Sequence, residues 1–130
     1  MAGIYLHIPF CKKRCIYCGF YSTTRGNIRD CYVNTLCHEL EMRKDYLQGE
    51  DVSTIYFGGG TPSQLSPQNL DQIFNTLYKL FPINSKAEIT LEGNPDDMDR
   101  NYIQYLLKFP INRISMGVQT FDEKRLHFLQ

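Results

Sequence analysis

Four short apolar segments alternate with longer segments of helical periodicity along the 130-residue sequence, and this alternation restricts the fold more than any other feature. Alternating residues predict strands over 3–9, 53–57, 87–91 and 113–118. The helical patterns cover 30–47, a segment that opens at Ser66 and Pro67, one that follows Asp96, Asp97 or Asp99 as cap, and one that begins at Asp122. Strands and helices that alternate in this way predict an α/β fold with a parallel sheet and right-handed crossovers.

The predicted sheet has too few strands to close into a complete barrel. A complete eight-unit barrel takes about 250 residues, whereas the sequence contains four strand–helix units. We therefore expect a partial, open TIM-type (β/α) barrel that is truncated at its C-terminus. On this interpretation residues 1–130 are the N-terminal part of one longer domain, and the remainder of the barrel and any C-terminal domain lie outside this chain.

Each predicted strand has one apolar side and one polar or small side. In the first strand Ile4, Leu6 and Ile8 alternate with Tyr5 and His7. An antiparallel sheet with a solvated face would give the same pattern, although the intervening helices argue against it. The other interpretation is a concave inner face that binds a polar ligand, because parallel α/β folds bind ligands at the C-terminal ends of their strands.

Composition and charge exclude several classes of protein. The 14 Lys and Arg residues balance the 14 Asp and Glu residues, so a nucleic-acid partner is not expected. No segment approaches the roughly 20 apolar residues that a transmembrane helix needs, and the first residues lack the pattern of a signal peptide. These observations predict a cytoplasmic protein.

The five cysteines all lie in the first third of the chain, and three of them are closely spaced. Cys11, Cys15 and Cys18 follow the first strand with the spacing C-x3-C-x2-C, which lets one loop hold three thiolates around one metal centre. Three thiolates are one fewer than an ordinary iron–sulfur cube has, so one iron would stay open to another ligand. The alternative is a structural zinc site completed by a fourth ligand, for which the candidates are His7, Cys31 and Cys37.

Four ordered motifs extend this pattern to a known family. They are YLHIPFC at 5–11, YFGGGTPS at 56–63, EGNP at 92–95 and SMGVQTF at 115–121. With the cysteine spacing, they resemble the radical S-adenosylmethionine (SAM) proteins, and more narrowly the family of oxygen-independent coproporphyrinogen III oxidases and heme chaperones. The resemblance implies a radical SAM core domain with a [4Fe–4S] cluster and SAM as cofactors.

The resemblance also implies roles for individual residues. The cluster ligands would be Cys11, Cys15 and Cys18. A second set of residues would contact SAM, and one of them, Tyr17, would stack on its adenine. These predicted SAM contacts are Tyr5, Tyr17, Gly59, Gly60, Thr61, Glu92 and Gln119. Taken alone, the glycines equally fit an ordinary turn, and solvated loop residues remain the alternative for Glu92 and Gln119.

Within the family, Phe20 favours the heme-chaperone branch, because the oxidases tend to have a further cysteine there. Gly19 departs from the aspartate that the chaperones usually have. The first function hypothesis is thus a heme chaperone that binds heme and transfers it to recipient hemoproteins, with an electron donor protein as a further partner. The second is an enzyme, an oxygen-independent coproporphyrinogen III oxidase that decarboxylates propionate side chains. The third is a structural zinc module.

Overall fold

The computed structural model describes residues 1–129, and Gln130, the last residue of the predicted domain, lies outside the described residues. Four strands alternate with four helices, as the sequence predicts. In chain order the elements are β1 (Ala2–Ile8), α1 (Arg29–Met42), β2 (Val52–Gly59), α2 (Pro67–Leu80), β3 (Ile83–Gly93), α3 (Arg100–Leu106), β4 (Arg113–Met116) and α4 (Glu123–Leu129). Three-residue 3₁₀ turns over Gly26–Ile28, Pro62–Gln64 and Pro95–Asp97 precede α1, α2 and α3.

The strands form one parallel sheet in the order β1-β2-β3-β4. The antiparallel alternative is therefore wrong, and the predicted α/β fold is confirmed. Each crossover carries a helix, as parallel pairing requires. Strands that are neighbours in sequence are also neighbours in the sheet. The segments that follow β1, β2 and β3 therefore lie next to one another at the C-terminal ends of the strands, which we call the C-terminal edge of the sheet.

Apolar residues of the strands form aligned rows against the helices. Leu6 pairs with Phe57, Phe57 with Leu91, and Leu91 with Ile114. The first three side chains are buried beneath α1 and α2 together with Val33 and Ile73. The predicted apolar face of the first three strands is thus the core of the molecule.

The apolar side of β4 does not follow this prediction. Ile114 and Met116 of β4, and Val118 just after it, are 40%, 49% and 50% exposed. Thr90 differs in the opposite sense, since it belongs to the polar side of the alternating pattern of β3 and is nevertheless buried. It lies between Tyr56 and Arg113 in the sheet register, and Arg113 Nη1 donates a 3.3 Å hydrogen bond to its hydroxyl.

Helix α1 ends at Met42 rather than near Leu47. After it the chain makes successive tight turns, with Lys44 N bonded to Glu41 O and Tyr46 N to Arg43 O, and Gly49 adopts a φ of 79°. Leu47 still packs on the core from these turns. Its apolar side chain therefore fits the helical period without belonging to the helix.

Candidate functional site

The cysteine loop and the glycine segment after β2 are bonded to each other at the C-terminal edge of the sheet. Gly60 N donates to Ile8 O at 2.8 Å, and Thr61 N donates to Phe10 O at 2.7 Å. Parallel pairing therefore continues past the strand ends to the first cysteine. On the other side, Cys11 N donates to Thr23 O at 3.0 Å, so the start of the loop is bonded on both flanks.

The three loop cysteines are free thiols of intermediate burial. Thr61 Oγ1 donates a 3.3 Å hydrogen bond to Cys11 Sγ, and Cys18 N closes a turn onto Cys15 O at 3.1 Å. Within residues 1–129 no three His, Cys, Asp or Glu side chains converge on a point suited to one metal ion. A three-thiolate cube places each sulfur on a different iron, so its ligands need not converge on one ion.

The geometry gives the structural zinc alternative no support. A closed zinc site needs four ligands at about 2.0–2.3 Å from one centre. The part of the chain that the structure describes has no such group, and the candidate fourth ligands are committed elsewhere or lie in α1. His7 bonds through Nε2 to Tyr21 O at 3.0 Å and through Nδ1 to the Tyr5 hydroxyl at 3.3 Å. Both ring nitrogens of His7 thus have partners within the protein, which gives this residue a structural role.

The glycines after β2 are required by close packing. Gly59 has a φ of 112°, and a Cβ there would lie 2.7 Å from the His7 ring. At Gly60 a Cβ would lie 2.8 Å from the carbonyl carbon of Pro9. Any side chain would push the glycine segment away from the strand that leads into the cysteine loop. The turn interpretation is therefore incomplete, because these glycines bring two backbone segments together.

Tyr5 and Glu92 lie on the inner face with Tyr56 between them. The rings of Tyr5 and Tyr56 stack with their centroids 6.0 Å apart, and the Tyr56 hydroxyl donates to Glu92 Oε1 at 2.7 Å. This hydrogen bond and burial raise the pKa of Tyr56, while burial and the Glu92 charge raise the pKa of Tyr5. Both tyrosines thus stay protonated, and Tyr56 donates its hydrogen bond to the carboxylate while the Tyr5 hydroxyl is bonded to His7.

Tyr17 and Gln119 are exposed. Tyr17 lies within the cysteine loop, between Cys15 and Cys18, where burial, followed by a hydrogen bond with Cys15, raises the pKa of Tyr17. Gln119 lies in the segment after β4, where its side-chain nitrogen is 2.7 Å from the position of a Cβ on Gly117. Within residues 1–129 no hydrogen bond joins Gln119 to the other predicted site residues.

Sequence reasoning missed a buried carboxylate behind the loop. Asp97 Oδ2 accepts hydrogen bonds of 2.7 Å from Ser63 Oγ and from Gln64 Nε2, and Oδ1 pairs with Lys12 Nζ. The sequence offered Asp97 only as a helix cap. That role belongs to Asp99, whose Oδ1 accepts from Tyr102 N at 2.8 Å. The run of three acidic residues at 96–99 gave no sign of which one is buried.

The fold and this edge define a class: a parallel α/β domain with a thiol-bearing loop after its first strand. A family model described as the Radical SAM superfamily matches residues 5–130. The chain belongs to the Radical SAM superfamily, and the predicted family is confirmed.

Individual relatives narrow the comparison. The chain is 42% identical over 125 residues to an anaerobilin synthase of Escherichia coli O157:H7 and 38% identical over 126 residues to a heme chaperone of Escherichia coli K12. These alignments cover 93% and 95% of this chain and 28% and 33% of the relatives. The structure superposes on a coproporphyrinogen III oxidase of Escherichia coli, described as a radical SAM enzyme, with a TM-score of 0.90 and 32% identity. That match covers 98% of this chain and 30% of the oxidase.

The chain thus spans about a third of the length of its relatives. Membership of the superfamily implies SAM and a [4Fe–4S] cluster as cofactors.

None of the helices that the structure describes is both long and apolar enough to cross a membrane.

Proposed function

We propose that this chain forms the cofactor-binding part of a radical SAM protein of the heme-chaperone type, which binds heme and delivers it to hemoproteins. The observation that carries the cofactor assignment is the hydrogen bond from Thr61 to the Cys11 sulfur. It joins the thiol loop after β1 to the glycine segment after β2, the two segments expected to hold the cluster and SAM.

The donor set fits a cluster with one open iron. Cys11, Cys15 and Cys18 are free and partly accessible, and the loop that carries them is bonded to the sheet at its start. Thiolates are the usual ligands of [4Fe–4S] clusters. When bound to SAM and reduced, such a cluster supplies the electron that cleaves the sulfonium bond.

The remaining predicted residues would bind and orient SAM. Gly59 and Gly60 bring backbone close to the thiol loop, where carbonyl oxygens can accept from the methionine ammonium. Glu92, held by Tyr56, would supply a carboxylate to the ribose hydroxyls or to the positive sulfonium. Tyr5, Tyr17, Thr61 and Gln119 complete the proposed contacts, and Gln119 lies in the segment that follows β4.

The chaperone role is supported by Phe20 and by the heme chaperones among the relatives. Phe20 is 66% exposed beside the cysteine loop, where it adds apolar surface in place of another thiol. Transfer to hemoproteins, an electron donor protein and a cytoplasmic location belong to this proposal.

The second candidate is an oxygen-independent coproporphyrinogen III oxidase. The observation that favours it is the superposition on the Escherichia coli oxidase over 98% of this chain. The same cofactor site would serve both candidates, because they differ in what is bound rather than in how the cofactors are held.

The cofactor assignment is tested by reconstituting the full-length protein with iron and sulfide under anaerobic conditions. Electron paramagnetic resonance (EPR) of the reduced protein should change when SAM is added, because SAM would ligate the open iron. Cys15→Ala should lower bound iron to less than about a tenth of the wild-type content, since metal sites depend on their ligand thiolates. Cys31→Ala is the matched control, because Cys31 is an exposed free cysteine of α1. Full cluster content in Cys15→Ala would refute the assignment.

The two candidates are separated by their products. The reconstituted protein is mixed with heme and an apo-hemoprotein, and separately with coproporphyrinogen III, SAM and a reductant. A heme chaperone should transfer heme and leave coproporphyrinogen III unchanged. Formation of a decarboxylated porphyrin without heme transfer would establish the oxidase instead.

A further inference from the structure

Asp97 is a buried carboxylate that joins three loops at the edge of the sheet. It lies in the 3₁₀ turn after β3, and its side chain is 5% exposed. Ser63 and Gln64, in the turn after β2, donate to Oδ2, and Lys12 of the cysteine loop donates to Oδ1. The backbone N–H of Asn94 adds a 3.2 Å bond to Ser63 Oγ, which ties the β3 turn back to the β2 turn.

These bonds keep the buried carboxylate charged. Burial raises the pKa of Asp97, but the hydrogen bonds from Lys12, Ser63 and Gln64 together outweigh it, so that its pKa lies below the ordinary value. A buried carboxylate needs such donors, because an unpaired buried charge is strongly unfavourable. An exposed ion pair contributes little, whereas here one partner is enclosed and fixed by two further donors.

The pairing acts on a functional position because Lys12 directly follows Cys11. Cys11 is already held by its own backbone N–H and by Thr61. The contact between Lys12 and Asp97 adds a third restraint, immediately C-terminal to that cysteine. Lys13 and Arg14 are exposed, and within residues 1–129 neither makes a hydrogen bond or ion pair, so Lys12 alone of these three basic residues restrains the loop in the described structure.

We infer that Asp97 is a positioning residue for the iron–sulfur loop: through Lys12 it fixes the thiol of Cys11 relative to the ends of β2 and β3. This inference rests on the proposed function in one respect, that the loop binds a cluster. It assigns no chemical step to Asp97, which does not touch the cysteines. Its role is to keep the loop in the conformation in which three thiols share one cluster.

The test compares Lys12→Met, Lys12→Arg and Lys13→Met in the reconstituted full-length protein. Lys12→Met keeps the aliphatic stem and removes the donor. We expect it to accelerate loss of iron to a chelator about tenfold, at the lower end of the effects seen when partners of metal ligands are removed. The EPR signal of the reduced cluster should broaden as the loop samples more conformations. Lys12→Arg keeps a charged donor, so its rate of iron loss and its EPR line width should match those of the wild type. Lys13→Met removes the same charge one position along and should leave both properties unchanged.

Asp97→Asn tests the other partner, with thermal unfolding measured in parallel. It should accelerate iron loss in the same way, and combining it with Lys12→Met should add little, because both changes break one pair. The inference is overturned if wild-type protein binds a cluster that responds to SAM while Lys12→Met loses iron at the wild-type rate. A wild-type protein that takes up no cluster would overturn the proposed function itself, so the two failures are distinguishable.

Discussion

Tyr102 in α3 carries a buried hydroxyl that has no hydrogen-bond partner within the part of the chain described. Burial, and next the charge of Asp97, raise the pKa of Tyr102 to about 12. The neutral form is thus strongly favoured in the folded protein.

Replacing Tyr102 by Phe should leave stability at neutral pH unchanged or raise it by up to about 1 kcal/mol, because the unpaired hydroxyl is removed. Since the folded pKa lies above the ordinary value of 10.0, the wild type should lose stability as pH rises from about 10 to 12, where only the unfolded chain releases the proton. The variant should lose less over that interval. Urea unfolding at pH 7 and at pH 10.5 measures both effects, and equal pH dependence in the two proteins would contradict the explanation.

Site residues differ in how visible they are in the sequence. The spacing of Cys11, Cys15 and Cys18 is a local property, so it can be read from the sequence directly. The contact between Lys12 and Asp97 joins residues 85 positions apart. It depends on the adjacency of the β1 and β2 ends and of the β2 and β3 ends, which residue types alone do not specify. Glycines 59 and 60 fall between these cases: their presence is obvious, but their packing against His7 and Pro9 is not.

At the scale of elements, α2 has the best-defined start. Ser66 Oγ accepts from Asn69 N, and Asn69 Oδ1 accepts from Ser66 N, both at 3.1 Å. Asn69 also donates to Asp30 Oδ1 at 2.9 Å, so the cap of α2 is tied to the start of α1. The cap at Ser66 was predicted from the sequence, while the reciprocal bond and the link to α1 are tertiary features.

Ser66→Ala should lower the free energy of unfolding by about 1 kcal/mol, the usual effect of removing an N-cap. Asn69→Ala should cost more, about 2 kcal/mol, because it also leaves Asp30 without this donor and removes a buried side chain. Asn75→Ala, at an exposed position in the same helix, is the control and should change stability by only a few tenths of a kcal/mol. Chemical denaturation measures all three, and an Asn69→Ala effect smaller than that of Ser66→Ala would contradict the described link.

For the whole molecule, strand order and parallel pairing were predictable because the alternation of strands and helices allows few topologies. The exposure of the apolar face of β4 was not predictable. The pattern of Ile114 and Met116 shows that one side of the strand is apolar, but it does not show what covers that side. An apolar groove of about 300 Å³ runs beside that face. Its lining is Met98, Ile103, Leu106, Leu107, Ile111, Asn112, Arg113, Ile114 and Met116.

The isolated segment 1–130 should therefore self-associate, because exposed apolar surface next to an edge strand favours pairing between copies. Leu107, at 78% exposure, lies in the groove, and Met42, at 74%, lies on the far end of α1. Leu107→Glu should raise the concentration at which light scattering detects association by about tenfold or more, since burying one leucine contributes about 1.5–3 kcal/mol. Met42→Glu is the control with the same added charge. An equal effect of both changes would point to net charge rather than to the groove.

The sequential order of the sheet has a consequence for biosynthesis. Each strand pairs with the one made just before it, so during translation each new strand has its partner already synthesised. Lys12 leaves the ribosome early, yet its acidic counterpart is made 85 residues later. Until the third strand–helix unit has docked, the loop lacks this anchor, and iron delivered to a nascent chain would meet a looser set of thiols than the finished protein provides.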